Sequence, residues 1–263
     1  MTKLIAMAGK GGTGKTTFAA LLIRGLLRRE RGPVLAVDAD PNATLSEALG
    51  MEAPKTIGMV REEFGKASET LPAGMTKGQF FEYKLNEIVV EDEGVDLLVM
   101  GRPEGAGCYC YVNNLLRGAV EQLSRNYPFV VIDNEAGLEH LSRRTAAKID
   151  LMVIMSDHSV RGIRSAHRVI ELADEMDLVV KQRVVIVNRV PGEGSLSEAE
   201  KAVDQAVREE AARLGLEIFA AVPPDSSVVN ADLGQTSLLE TEVGASSEGA
   251  AAKVLDYLET VKP

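Results

Sequence analysis

The chain has 263 residues, 45% of them apolar, and a formal charge of −10 at pH 7. That is enough apolar material to bury a sizeable core, and the acidic balance, with no strongly basic block, excludes broad binding to nucleic acid or anionic membrane. With 4% aromatic residues and no Trp, stacking platforms for single-stranded nucleic acid are missing as well.

Strand and helix signals alternate from end to end. Near-continuous Val, Ile, Leu and Met runs predict strands at 4–8, 34–37, 95–100, 129–132, 151–155, 184–187 and 217–220. Helical spacing falls between most of them, at 16–29, 113–125, 161–174 and 195–214, with a loop at 191–194 and a closing helix at 244–262. This is the pattern of right-handed βαβ crossovers, so the expected fold is α/β, a doubly wound, mainly parallel sheet with helices on both faces. Residues 51–93 interrupt the rhythm and are expected to form a helical insertion within a single domain. The first strand follows Met1 almost at once, leaving no room for a secretory leader, and no run of roughly 18 apolar residues exists to span a membrane. The expected compartment is the cytoplasm.

Between the first strand and the first helix stands Gly9-Lys10-Gly11-Gly12-Thr13-Gly14-Lys15-Thr16, which fits G-x-x-x-x-G-K-[ST] in its required context. Glycines let the backbone wrap closely enough for N–H groups to face phosphates, and the helix start adds its positive end. Lys15 is expected to reach the β- and γ-phosphates and Thr16 to ligate Mg²⁺, with Thr17 completing the nucleotide-binding set.

The second strand ends in Val37-Asp38-Ala39-Asp40-Pro41-Asn42, where carboxylates at the carboxyl end of a parallel strand meet ligands. Asp38 is expected to support Mg²⁺ through water, while Asp40-Pro41-Asn42 also fits a turn and helix N-cap. Val130-Val131-Ile132-Asp133 is an apolar strand closing on an acid, the arrangement that holds Mg²⁺ directly or through water. Asn134-Glu135-Ala136-Gly137-Leu138-Glu139-His140 follows, with His140 read as a polar residue starting a helix.

Cys108 and Cys110 are the only cysteines and are too close in sequence to close a useful disulfide ring. In an extended segment, alternate residues face the same side, so both sulfurs can address one point. Two thiolates are half of a tetrahedral site, and a second copy across a two-fold axis would supply the other half for Ni²⁺ or Zn²⁺. The bland alternative is a pair of inert core thiols.

Lys10, two positions beyond the strand, makes the loop resemble the deviant Walker A of the ATPase class that includes MinD, ParA and the nitrogenase iron protein. The resemblance implies that Lys10 acts across a homodimer interface, and that Asp40 positions or activates the attacking water. It further implies that Gly137 senses the γ-phosphate, that Asn188 reads the adenine edge, and that Pro223 and Pro224 pack on the base, favouring ATP over GTP. Together with Asp38-Ala39-Asp40-Pro41-Asn42, the Cys108/Cys110 pair and the 133–140 segment, the chain resembles the CooC-type nickel-insertion ATPases. What that implies is an ATP-hydrolysing metallochaperone, dimerising with ATP or metal, with carbon monoxide dehydrogenase or acetyl-CoA synthase as the nickel-enzyme client. Rival readings are a MinD/ParA-like positioning ATPase without a metal role and an electron-donating ATPase sharing an iron–sulfur cluster.

Overall fold

Strands rich in Val, Ile and Leu on both faces require cover on both faces. The computed structural model describes residues 2–67, 74–101, 118, 120–134, 148–192 and 197–260, with no side chains at 65–67. The strands are β1 (Lys3–Gly9), β2 (Val34–Ala39), β3 (Val90–Asp92), β4 (Val95–Val99), β5 (Phe129–Asn134), β6 (Ile149–Asp157), β7 (Val180–Asn188) and β8 (Ile218–Val222). They form one sheet of order β3-β4-β2-β5-β1-β6-β7-β8, parallel throughout except for the β3/β4 pair. The described helices are α1 (Lys15–Arg28), α2 (Thr44–Leu49), α3 (Ile57–Ala67), α4 (Lys77–Ile88), α5 (Val160–Glu175), α6 (Glu198–Arg213), α7 (Ser226–Gly234) and α8 (Ala245–Thr260). The doubly wound α/β expectation holds.

The period of two along each strand feeds two separate cores. Ile5 and Met7 of β1 point into the cluster that holds α1, α2 and α8, whereas Ala6 and Ala8 point into the cluster that holds α3, α4 and α5. β2 divides the same way, Val34 and Ala36 to the first and Leu35 and Val37 to the second. Small residues on β1 let the second layer approach the centre of the sheet. In the segment 51–93, Phe64 of α3 stacks on Phe81 of α4 with ring centroids 4.7 Å apart, and both rings belong to the second core.

All seven predicted strands are present, but their ends move. β7 begins four residues before the predicted run, because Lys181, Gln182 and Arg183 are polar yet half-buried. Each has a partner that permits this: Lys181 pairs with Asp150 at 2.8 Å, Gln182 accepts from the Tyr257 hydroxyl at 2.7 Å, and Arg183 pairs with Asp174. β3 carries no apolar run and escaped prediction. It is a three-residue edge strand bearing Glu91 and Asp92, folded back on β4 through Glu93 and Gly94. Short, charged edges of this kind resist pairing with another chain. Of the predicted helix 113–125, the structure describes residues 118 and 120–124 as helical. Among the described residues, no helix is long and apolar enough to cross a membrane.

Candidate functional site

The carboxyl edge of the parallel sheet gathers the predicted residues. β1 lies centrally, and its last residue, Gly9, pairs in register with Met155 of β6. At φ +133°, Gly9 brings the backbone so close that a Cβ would collide with the Met155 carbonyl oxygen. The chain then turns over Lys10, Gly11 and Gly12, all exposed, into α1. Gly14, at φ +93°, is the N-cap of α1 and offers no side-chain acceptor. The N–H groups of the first helical turn therefore have no side-chain cap, which leaves them available to an anion.

The loop closes on itself. The Thr13 hydroxyl donates to the Lys10 carbonyl at 2.8 Å, and the buried Lys15 ammonium donates to the same carbonyl at 3.1 Å. Asn188, at the end of β7, donates from Nδ2 to the Thr13 carbonyl at 2.9 Å and accepts the Arg189 N–H on Oδ1 at 2.9 Å. A Cβ on Gly14 would collide with that Nδ2. Asn188 is thus a brace for the loop, 175 residues distant in sequence from the carbonyl it holds.

Acids converge from the other side. Asp38 of β2 and Asp133 of β5 are register partners, and both are essentially inaccessible to solvent. Thr16 donates its hydroxyl to Asp133 Oδ2 at 2.6 Å, while Asp133 Oδ1 is buried with no hydrogen-bond partner among the described residues. Burial pushes the Asp133 carboxyl up to about 7, with the neighbouring Asp38 charge adding to it against the Thr16 bond and Lys15. Burial likewise raises Asp38 to about 6, against three backbone donors. Two adjacent carboxylates with raised proton affinity and an orphaned oxygen mark a place where positive charge is missing. Hydroxyl and carboxylate are hard oxygen donors, so this set fits Mg²⁺.

Asp38 also has a structural task. Its Oδ1 accepts the Asp40 N–H at 3.0 Å, and its Oδ2 accepts those of Leu45 and Ser46 at 2.8 and 3.3 Å. These bonds tie down the loop and the start of α2. Asp40 makes the turn foreseen as the alternative: its side chain accepts the Asn42 N–H at 2.8 Å and its carbonyl the Ala43 N–H at 3.0 Å. It remains half-buried at the site's mouth. Thr44, not singled out from the sequence, brings its hydroxyl to 3.3 Å from that of Thr16.

Beside the loop lies a cleft of about 850 Å³ whose walls include Thr16, Thr17, Arg189, Val228, Val229 and Asp232. That is a volume suited to a small organic ligand such as a nucleoside. Asn188 pairs with Val222, so Pro223 and Pro224 follow directly beside it, half-buried and exposed respectively. Asp225 then caps α7, accepting the Ser227 N–H at 3.0 Å, the Gly244 N–H at 2.8 Å and the Ser247 hydroxyl at 2.6 Å. Cys108, Cys110, Gly137 and His140 lie outside the described residues. Among the described residues, no group of three or more His, Cys, Asp or Glu side chains could hold a metal ion.

The family model described as the CobQ/CobB/MinD/ParA nucleotide binding domain matches residues 4–238, the whole stretch from the phosphate loop to the far wall of the cleft. The chain belongs to the CobQ/CobB/MinD/ParA nucleotide-binding family. An uncharacterized ATP-binding protein of Methanocaldococcus jannaschii is 46% identical over 232 residues, 88% of each chain. The carbon monoxide dehydrogenase accessory protein CooC of Rhodospirillum rubrum is 31% identical over 271 aligned positions, covering 98% of this chain and 97% of the relative. Among solved structures, the MinC:MinD cell division protein complex of Aquifex aeolicus superposes with a TM-score of 0.70 at 23% identity, covering 99% of this chain and 98% of that one. At that identity the likeness is one of fold. The chain is therefore a nucleotide-binding protein of this family, and the segment Gly9 to Thr16 carries the phosphate-loop motif within the matched stretch.

The brace carries a prediction. If Asn188 served only the base, its loss would leave binding of a base-free ligand unchanged. Because it holds the Thr13 carbonyl, Asn188→Ala is expected to weaken inorganic tripolyphosphate as well as ATP, by roughly tenfold for one lost hydrogen bond. Titration calorimetry with both ligands checks it.

Proposed function

We propose that this protein is a Mg²⁺-dependent, dimeric ATPase that acts as a nickel metallochaperone, assisting metal insertion into carbon monoxide dehydrogenase or acetyl-CoA synthase. The observation that carries the reading is the end-to-end match with the CooC accessory protein, in a chain whose only two cysteines form a Cys-x-Cys pair. In this reading the loop backbone and Lys15 hold the triphosphate, Asn188 and the Pro223-Pro224 segment border the adenine, and Gly137 senses the γ-phosphate. Thr16 and Asp133 hold Mg²⁺, which draws charge from the phosphates when bound. Asp40 orients the water that attacks the γ-phosphorus, giving ADP and phosphate. Lys10 is exposed on the loop, free to extend to a facing copy, and Lys10 of the partner subunit meets the developing charge on the γ-phosphate.

Nickel is the cargo. Cys108 and Cys110 from two copies offer four thiolates to Ni²⁺ or Zn²⁺, so affinity for the cargo depends on how the copies face each other, and nucleotide state sets that. The coupling is reciprocal: ATP tightens metal binding by the same factor by which metal tightens ATP binding. Wild type with ATP is expected to retain one Ni²⁺ or Zn²⁺ per dimer on gel filtration with metal analysis, and the Cys108→Ser/Cys110→Ser variant none. Equal retention by both would sink the metal reading and leave a positioning ATPase of the MinD kind, which binds ATP without thiol-held metal. Recovery of an inactive nickel enzyme from cells lacking this protein tests the client.

A further inference from the structure

We propose that Thr44 supplies a second hydroxyl oxygen to the Mg²⁺ of the nucleotide site, so that the first turn of α2 is part of the cation's shell. The inference rests on the ATP·Mg²⁺ reading of the site given above. The Thr16 hydroxyl has two oxygen neighbours, Asp133 Oδ2 at 2.6 Å and the Thr44 hydroxyl at 3.3 Å. Octahedral Mg²⁺ with oxygens at 2.0–2.1 Å sets neighbouring ligands about 2.9 Å apart, a spacing that these two separations bracket.

Proton bookkeeping gives the arrangement a direction. A threonine hydroxyl has one proton, and that of Thr16 goes to Asp133. The bond between the two threonines therefore takes its proton from Thr44 and ends on a lone pair of Thr16. A cation that claims this lone pair releases the Thr44 hydroxyl, whose own oxygen then stands one ligand spacing away with its lone pairs free. Asp133 Oδ1, buried and without a hydrogen-bond partner among the described residues, has the same need for positive charge.

Thr44 does not wander into this position. The Asp40–Ala43 turn, closed by the Ala43 N–H on the Asp40 carbonyl and by Ala43 at φ +55°, fixes the approach of the chain. Asp38 then grips the next two residues, Leu45 and Ser46, through their N–H groups. A buried carboxylate that spends both oxygens on backbone is a costly way to start a helix of six residues unless the placement of its first side chain matters.

Mn²⁺ reports on the site without turnover. Its affinity for the ATP-loaded protein is read by electron paramagnetic resonance in wild type, Thr44→Val and Thr44→Ser, beside ATP binding and melting temperature in chelator. Thr44→Val is expected to weaken Mn²⁺ by about 10- to 100-fold, Thr44→Ser to restore it, and both to keep wild-type metal-free melting and ATP binding. Wild-type Mn²⁺ affinity in Thr44→Val, or a loss that serine does not repair, overturns the assignment. Wild-type protein that binds no Mn²⁺ with ATP overturns the ATP·Mg²⁺ reading and this inference together, whereas tight wild-type binding with an indifferent Thr44 sinks this inference alone.

Discussion

Lys10→Ala is expected to bind ATP as tightly as wild type and to hydrolyse it about 10³-fold or more slowly, the range over which a charge supplied in trans acts on phosphoryl transfer. Lys10 gives the loop only its carbonyl, the acceptor for Thr13 and Lys15, and its side chain stands exposed. Alanine keeps that carbonyl, so the loop and the affinity for nucleotide survive. What disappears is a cation whose side chain stands exposed, with no ion pair among the described residues. Steady-state phosphate release across a range of protein concentrations checks this: wild type is expected to speed up per molecule as dimer forms, and the variant to stay flat. A variant with wild-type turnover would remove the trans role altogether.

Asp133→Asn separates what the site gives to stability from what it gives to chemistry. The folded protein holds a proton on Asp133 below about pH 7, whereas the unfolded chain holds it only below 3.8. In the metal-free state, folding therefore takes up a proton between those values, and stability falls as pH rises from about 4 to about 7, then stays at its low plateau. Asparagine removes the buried charge while its oxygen still accepts from Thr16. The variant is expected to keep only the shallower fall that Asp38 contributes between about pH 4 and 6, to lose the part that Asp133 adds up to about pH 7, and to exceed wild type at pH 8 by on the order of 1–3 kcal/mol, the usual gain when an uncompensated buried charge is removed. Melting in chelator from pH 4 to pH 8 measures it. With Mg²⁺ present, the same variant is expected to lose ATP turnover by at least about a hundredfold. A slope in the variant as steep and as far-reaching as in wild type would mean that Asp133 does not carry the proton.

The sheet was legible because strands buried on both faces cannot hide their apolar runs, and the P-loop because its glycines must fall at fixed intervals from a strand to a helix. Less was legible where polarity and position disagree. The first half of β7 is a strand whose charges are cancelled by Asp150 and Asp174, and nothing in its composition announces those partners. Thr44 is an ordinary residue in sequence, and Asn188, expected beside the base, gives no sign there of the Thr13 carbonyl it holds. Each acquires its place through a contact spanning 28 or 175 residues, information that a local reading does not contain. Asp38 adds a task that its position at a strand end did not announce, holding three N–H groups of the loop and α2.

The short helix α2 is held at both ends by others. At its start Asp38 takes two amides, and at its end Ser237 donates its hydroxyl to the Leu49 carbonyl at 2.7 Å while the Leu238 N–H reaches the Ala48 carbonyl at 2.9 Å. One and a half turns fall far below the length at which a peptide coils unaided in water. Its order is therefore conditional: slackening either tether melts the element whole instead of bending it.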